Sequence, residues 1–109
     1  MISADVVRSE SGFRLTLSGH ANYGEERADI VCAAVSGIFY ALCGYLANTY
    51  KEGLRIYSLE PGLGDLECAR EGEEAMRFAC IGLLQIALSY PGYLSLNNRA
   101  FNWRVNPAV

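Results

Sequence analysis

Apolar residues alternate with polar ones at the start of the chain and recur at three- and four-residue intervals in two later stretches, and that change of rhythm predicts the elements. Residues 2–7 and 13–17 form two short strands, the second with Phe13, Leu15 and Leu17 on one face and Arg14 and Thr16 on the other. Ser9-Glu10-Ser11-Gly12 supplies the turn between them. Residues 54–60 and 63–69 form a second hairpin around Pro61-Gly62, a pair favoured at the centre of a type II turn. The charge-free run 30–50 predicts a helix, and Asp29 just before it is a suitable N-cap, its carboxylate accepting from the free amides of the first turn. A second helix starts at Glu71 or Gly72 and runs to Tyr90. Glu71, Glu73 and Glu74 complement its dipole, Met76, Cys80, Leu83, Leu84 and Ala87 form its buried side, and Pro91-Gly92 stops it. The order ββαββα predicts an α+β domain, with an antiparallel or mixed sheet packed against a central charge-free helix.

Within that helix Ala33, Gly37, Ala41 and Gly44 form a smooth stripe, which allows close approach to a sheet or another helix in water as well as in lipid. The run is long enough for a membrane span, but Ser36, Cys43, Asn48 and Thr49 dilute it. A helix covered on most sides is the preferred alternative, and it requires packing on both flanks. Residues 1–93 are expected to form the domain. Residues 94–109 are expected to be an extension whose aromatic segment Phe101-Asn102-Trp103-Arg104-Val105 adds a strand, with Trp103 anchoring the tail.

At 109 residues, 51% hydrophobic, the chain suffices for one domain with a real core and no structural metal. A net charge of −3, with basic residues scattered along the sequence, argues against nucleic-acid binding. Cys32, Cys43, Cys68 and Cys80 make no CxxC pair and no zinc-type spacing. The start Met1-Ile2-Ser3-Ala4-Asp5 lacks the pattern of a secretory signal, so a reduced, cytoplasmic setting is expected. No cofactor motif is present; Gly62-Leu63-Gly64 sits in a hairpin rather than ahead of a helix.

The candidate chemistry lies in His20, the one imidazole of the chain, and Cys32. His20 falls where the second strand should end, at the root of a polar loop, and Cys32 in the first turn of the predicted helix. A thiol serves as a nucleophile when a neighbouring imidazole or a helix N-terminus favours its thiolate, and free first-turn amides can receive an oxyanion. Asp29 either caps the helix or fixes the tautomer of His20. The Ser36 hydroxyl either contacts the thiolate, orients substrate or bonds back to a carbonyl, and sequence alone favours the last. A metal held by His20, Asp29 and Cys32 lacks a fourth ligand and a recognisable spacing, so no metal is expected.

Ser18-Gly19-His20-Ala21, followed by Asp29-Ile30-Val31-Cys32-Ala33-Ala34-Val35-Ser36, closely resembles the signature of the ribosomal-processing cysteine proteases, the Prp family. Leu83-Leu84-Gln85-Ile86 and Tyr90-Pro91-Gly92-Tyr93 extend the likeness to residues 1–93. The resemblance implies a cytosolic, homodimeric endopeptidase that removes an N-terminal extension from a large-subunit ribosomal protein; phage-borne relatives trim virion proteins. It implies His20 as general base and Cys32 as nucleophile, with Gly19, Asp29 and Ser36 in support. It further implies that a loop containing Ala21, Asn22, Tyr23, Gly24, Glu25 and Glu26 orders over bound peptide. Two departures stand out: Glu26-Arg27-Ala28 replaces a glycine usual near the loop's end, and the tail after Tyr93 exceeds the usual length. A non-catalytic peptide-binding module of the same fold is the alternative from another class.

Overall fold

The computed structural model describes residues 1–19 and 26–102, apart from the side chain of Arg27. Strands β1 (Ile2–Arg8) and β2 (Gly12–Ser18) form the first hairpin, helix α1 (Glu26–Thr49) follows, and β3 (Arg55–Glu60) and β4 (Leu63–Ala69) form the second. A short 3-10 turn, Arg70–Gly72, leads into α2 (Glu73–Ser89), and β5 (Leu94–Arg99) closes the order. The fold is α+β, in the expected ββαββα order with one further strand.

The sheet runs β3-β4-β2-β1-β5. It is mixed, because β5 lies parallel to β1 while the remaining pairs are antiparallel. Strand alternation sends one set of side chains to a single core, where Val6, Leu15, Leu66 and Cys68 are fully buried. Both helices supply the opposite side of that core. On α1 it is the stripe Ala28, Val31, Val35, Phe39, Leu42 and Leu46, at helical three- and four-residue spacing, and on α2 it is Met76, Ala79, Cys80 and Leu83. The other face of the sheet is polar. There Arg14 makes a two-pronged ion pair with Asp65 at 2.9 and 2.7 Å and stacks over Tyr57, 4.4 Å from the ring centre.

Three expectations are corrected. First, α1 begins at Glu26 rather than at residue 30, so Asp29 lies inside the first turn and is not the N-cap. Glu, Arg and Ala are good helix formers, and the acidic Glu26 favours the positive end of the helix. Second, among the described residues α1 is buried along one stripe. Ala33, Gly37, Ala41 and Gly44 all face outward, and a Cβ added at Gly37 or Gly44 meets nothing within 4 Å. By length and composition the segment Ala28–Thr49 could cross a membrane, but its most apolar stripe is turned to the sheet. Third, the added strand is Leu94–Arg99, ahead of the aromatic segment. Its Leu94 and Leu96 face the core, and Phe101 beyond it stacks on Phe13 at 5.1 Å between ring centres. Trp103 and the rest of the tail lie outside the described residues.

Candidate active site

One end of the β2–β1 region, the second hairpin turn and the first half of α1 enclose a cavity of about 260 Å³. Four of the residues nominated from the sequence line it. Asp29, Cys32 and Ser36 sit three and four apart on α1 and present one face to the cavity, and Gly19 at the exit of β2 lines it from the sheet side. Residues thirteen positions apart in the chain thus meet because β2 and α1 converge on the same edge of the core. His20 is the next residue after Gly19 and lies outside the described residues, as do Ala21, Asn22, Tyr23, Gly24 and Glu25. Glu26, expected in the loop, is helical.

Gly19 has a local reason to be glycine. Its φ of +94° is one that side chains resist, and a Cβ there would stand 2.6 Å from the Met1 carbonyl oxygen. Its amide donates to the carbonyl of Gly62 at 3.0 Å, which ties the end of β2 to the β3–β4 turn. Gly62 itself, at φ +82°, takes the left-handed position that a type II turn requires after Pro61. The chain that leads into His20 is therefore tied to the second hairpin turn at the edge of the cavity.

Cys32 is half-exposed and is the seventh residue of α1, in its second turn. This corrects the expected placement in the first turn. With a rise of ~1.5 Å per residue, the thiol-bearing residue lies ~6 Å along the axis from Ala28, and its own amide belongs to the helical ladder rather than to the free first turn. Its own amide is therefore not among the free first-turn donors. Among the described residues Ser36 makes no side-chain hydrogen bond, so the favoured return bond to a helix carbonyl is absent; Asn48 and Thr49 do make such bonds, at 2.7 and 2.6 Å. The Ser36 hydroxyl remains available to the cavity.

Sequence reasoning missed the apolar part of the wall. Phe39, Tyr40, Leu59 and Leu63 line the cavity, with Gly64 beneath Phe39, where an added Cβ would come within 3.0 Å of the ring. Tyr40 was accessible as the next step of the Cys32–Ser36 spacing. Leu59 and Leu63 were not, since only the folded hairpin brings them opposite α1.

The remaining thiols differ in kind. Cys68 and Cys80 are buried, and burial pushes each up to about 11, which leaves them protonated and inert at neutral pH. Cys43 is half-exposed on α1 away from the cavity.

Comparison with known proteins bears on the family and the fold. The "Ribosomal processing cysteine protease Prp" of Mycoplasma pneumoniae is 30% identical over 92 residues, covering 82% of this chain and 90% of that one. Among solved structures, the essential ribosomal processing protease Prp from S. aureus in complex with a substrate peptide superimposes with a TM-score of 0.76 at 22% identity, covering 91% of this chain and all of that one. A second structure of the S. aureus protein carries a covalently linked product peptide and gives a TM-score of 0.75 at 22% identity, over 91% of this chain and 100% of that one. SMU.848 from Streptococcus mutans gives 0.74, also at 22% identity, over 93% of this chain and 96% of that one. The family model for Cysteine protease Prp matches residues 1–95, nearly the whole described chain, and the protein therefore belongs to the cysteine protease Prp family.

Proposed function

We propose that this chain is an endopeptidase that removes an N-terminal extension from a large-subunit ribosomal protein, with Cys32 as nucleophile and His20 as general base. The observation that carries it is the shared cavity: Cys32 and the residue immediately before His20 line the same 260 Å³ space. Its walls are mostly apolar with a few polar groups, which suits a peptide segment. The S. aureus relative, solved with a substrate peptide and with a covalently linked product peptide, supports the same chemistry.

In this mechanism His20 takes the proton of the Cys32 thiol, and the thiolate adds to the scissile carbonyl carbon to give a tetrahedral oxyanion. Collapse of the oxyanion breaks the C–N bond, and the imidazolium gives its proton to the departing amine. A thioester remains on Cys32. His20 then deprotonates a water that attacks the thioester, releasing the carboxylate product and restoring the thiol. Asp29, exposed at the cavity rim and free of its capping role, is the group suited to orient His20, and Ser36 is suited to hold the peptide.

The enzyme is proposed to act in the cytosol as a homodimer. Support comes from the outer helical surface, where exposed Tyr45 and Phe78 flank an apolar cleft of about 580 Å³ floored by Ala41 and Gly82. A test incubates wild-type, Cys32→Ala and His20→Ala proteins with a peptide spanning the extension and with a cell lysate, and sequences the newly formed N-termini. Both variants should keep the wild-type circular dichroism spectrum and lose cleavage by more than a thousandfold. A Cys32→Ala protein that retains the cellular role would show a binding module instead. New termini on virion proteins rather than ribosomal ones would identify the phage-type substrate.

A further inference from the structure

Among the described residues the edge strand β3 has an unpaired outer side, with β4 its one neighbour in the sheet and the source of its substantial packing contacts. Two of its last residues, Leu59 and Glu60, line the cavity that holds Cys32. On a regular strand, residues three apart point to opposite faces. Here Ile56 stands opposite Leu66 and Leu59 opposite Gly64, so both lie on the helix side of the sheet. The bulge between Ile56 and Ser58 accounts for this. Tyr57, the extra residue, turns to the polar face, where its hydroxyl bonds Glu67 at 2.9 Å.

Among the described residues no helix covers the pair that the bulge aligns. Ile56 is 44% exposed and Leu59 42%, and Tyr40, at 57%, stands on the α1 side of the cavity. An apolar shelf thus leaves the cavity and follows a free strand edge. Extended peptides are bound at such edges by main-chain pairing, with pockets for alternate side chains.

We infer that the substrate segment flanking the scissile bond adds to the outer edge of β3 as a short strand, laying alternate apolar side chains on Leu59 and Ile56 while the scissile carbonyl reaches Cys32. This rests on the protease function proposed above. Continuity of the shelf with the cavity identifies the substrate as occupant. A second copy is disfavoured because the straight run between bulge and turn spans only residues 58–60, a small fraction of the ~1,200 Å² that a stable interface needs.

The experiment takes a cleavable peptide and methylates its backbone nitrogens one at a time. Every second position in the flanking segment should lose about three- to tenfold in kcat/KM, the effect of one main-chain hydrogen bond. The Ile56→Asp enzyme should discriminate against long peptides and not against ones trimmed to the scissile bond. A flat or non-alternating profile, with cleavage intact, overturns the β3 inference and leaves the protease assignment standing. If the wild-type protein cleaves no peptide, the proposed function fails. Fluorescence anisotropy with the same methylated series then decides the inference separately, period-two loss of binding supporting it and a flat series overturning it. Sedimentation showing a wild-type dimer that Ile56→Asp converts to monomer assigns the edge to a second copy and also overturns it.

Discussion

The four thiols provide a quantitative test of core and site together. The perturbation is iodoacetamide added to native protein at pH 8. Cys68 and Cys80, with pKa values of about 11, are thiolates to ~0.1% at that pH, against about a quarter for an unperturbed thiol. The ratio is ~250-fold. The greater intrinsic nucleophilicity of a high-pKa thiolate recovers ~10-fold of it, leaving a ~20-fold disadvantage from ionisation. Access is limited far more, since Cys68 is 0% and Cys80 1% exposed and the reagent must wait for opening, which replaces the ionisation factor rather than multiplying it. For a domain of ~5 kcal/mol stability that opens globally, the open fraction is ~10⁻⁴. Cys43, half-exposed on α1, is the internal reference. Peptide mapping by mass spectrometry should find Cys68 and Cys80 at least a hundredfold slower than Cys43 in native protein, and all four equal in guanidinium. Labelling of either buried thiol within tenfold of Cys43 would refute the buried-core reasoning. Cys32 should precede Cys43 if His20 assists it, and equal rates would contradict an activated nucleophile.

Two further outcomes concern stability. Gly12→Ala places a Cβ 2.0 Å from the Cys68 carbonyl oxygen, a backbone atom held in the β2–β4 ladder, and should cost about 2–4 kcal/mol, read as a lower urea midpoint; an unchanged midpoint would show that the ladder yields freely. Side-chain hydrogen bonds from Ser9 and then from Tyr57 hold the Glu67 carboxyl below the usual carboxylate range. Since its folded pKa is the lower one, Glu67 stabilises the protein above the unfolded value and loses that contribution as pH falls through the folded one. The urea midpoint should therefore decline on acidification below about pH 4.3, with a shallower decline for Glu67→Gln; identical acid limbs would show that Glu67 is not a contributor.

Much of the fold is legible in local pattern. The alternation of Phe13, Leu15 and Leu17, the Pro61-Gly62 turn and the Met76–Cys80–Leu83 spacing each specify an element that the structure contains. The start of α1 was misplaced because Asp29 satisfies the cap rule by residue type, whereas Glu26, Arg27 and Ala28 satisfy helix propensity. Propensity prevailed. The added strand is expected in the aromatic segment rather than at β5 because Leu94-Ser95-Leu96-Asn97-Asn98-Arg99 is poor in β-branched residues; it becomes a strand by pairing with β1, a tertiary cause. In the cavity, the α1 members follow from spacing on one helix. Leu59, Leu63 and Gly64 do not, because they arrive through a bulged hairpin distant in sequence.

The parallel pairing of β5 with β1 has a consequence for synthesis. Val6 and Ala4 sit at the centre of the core, yet one side of their strand is completed only by residues 94–99, with Arg8 Nε donating to the Ala100 carbonyl at 3.2 Å as a final tie. While the chain is emerging, the first hairpin can form alone, but its open border must wait for residues about ninety positions further on. A nascent protein of this kind exposes an unfinished, aggregation-prone rim until β5 is translated, so truncation before Leu94 should yield inclusion bodies rather than a smaller soluble domain.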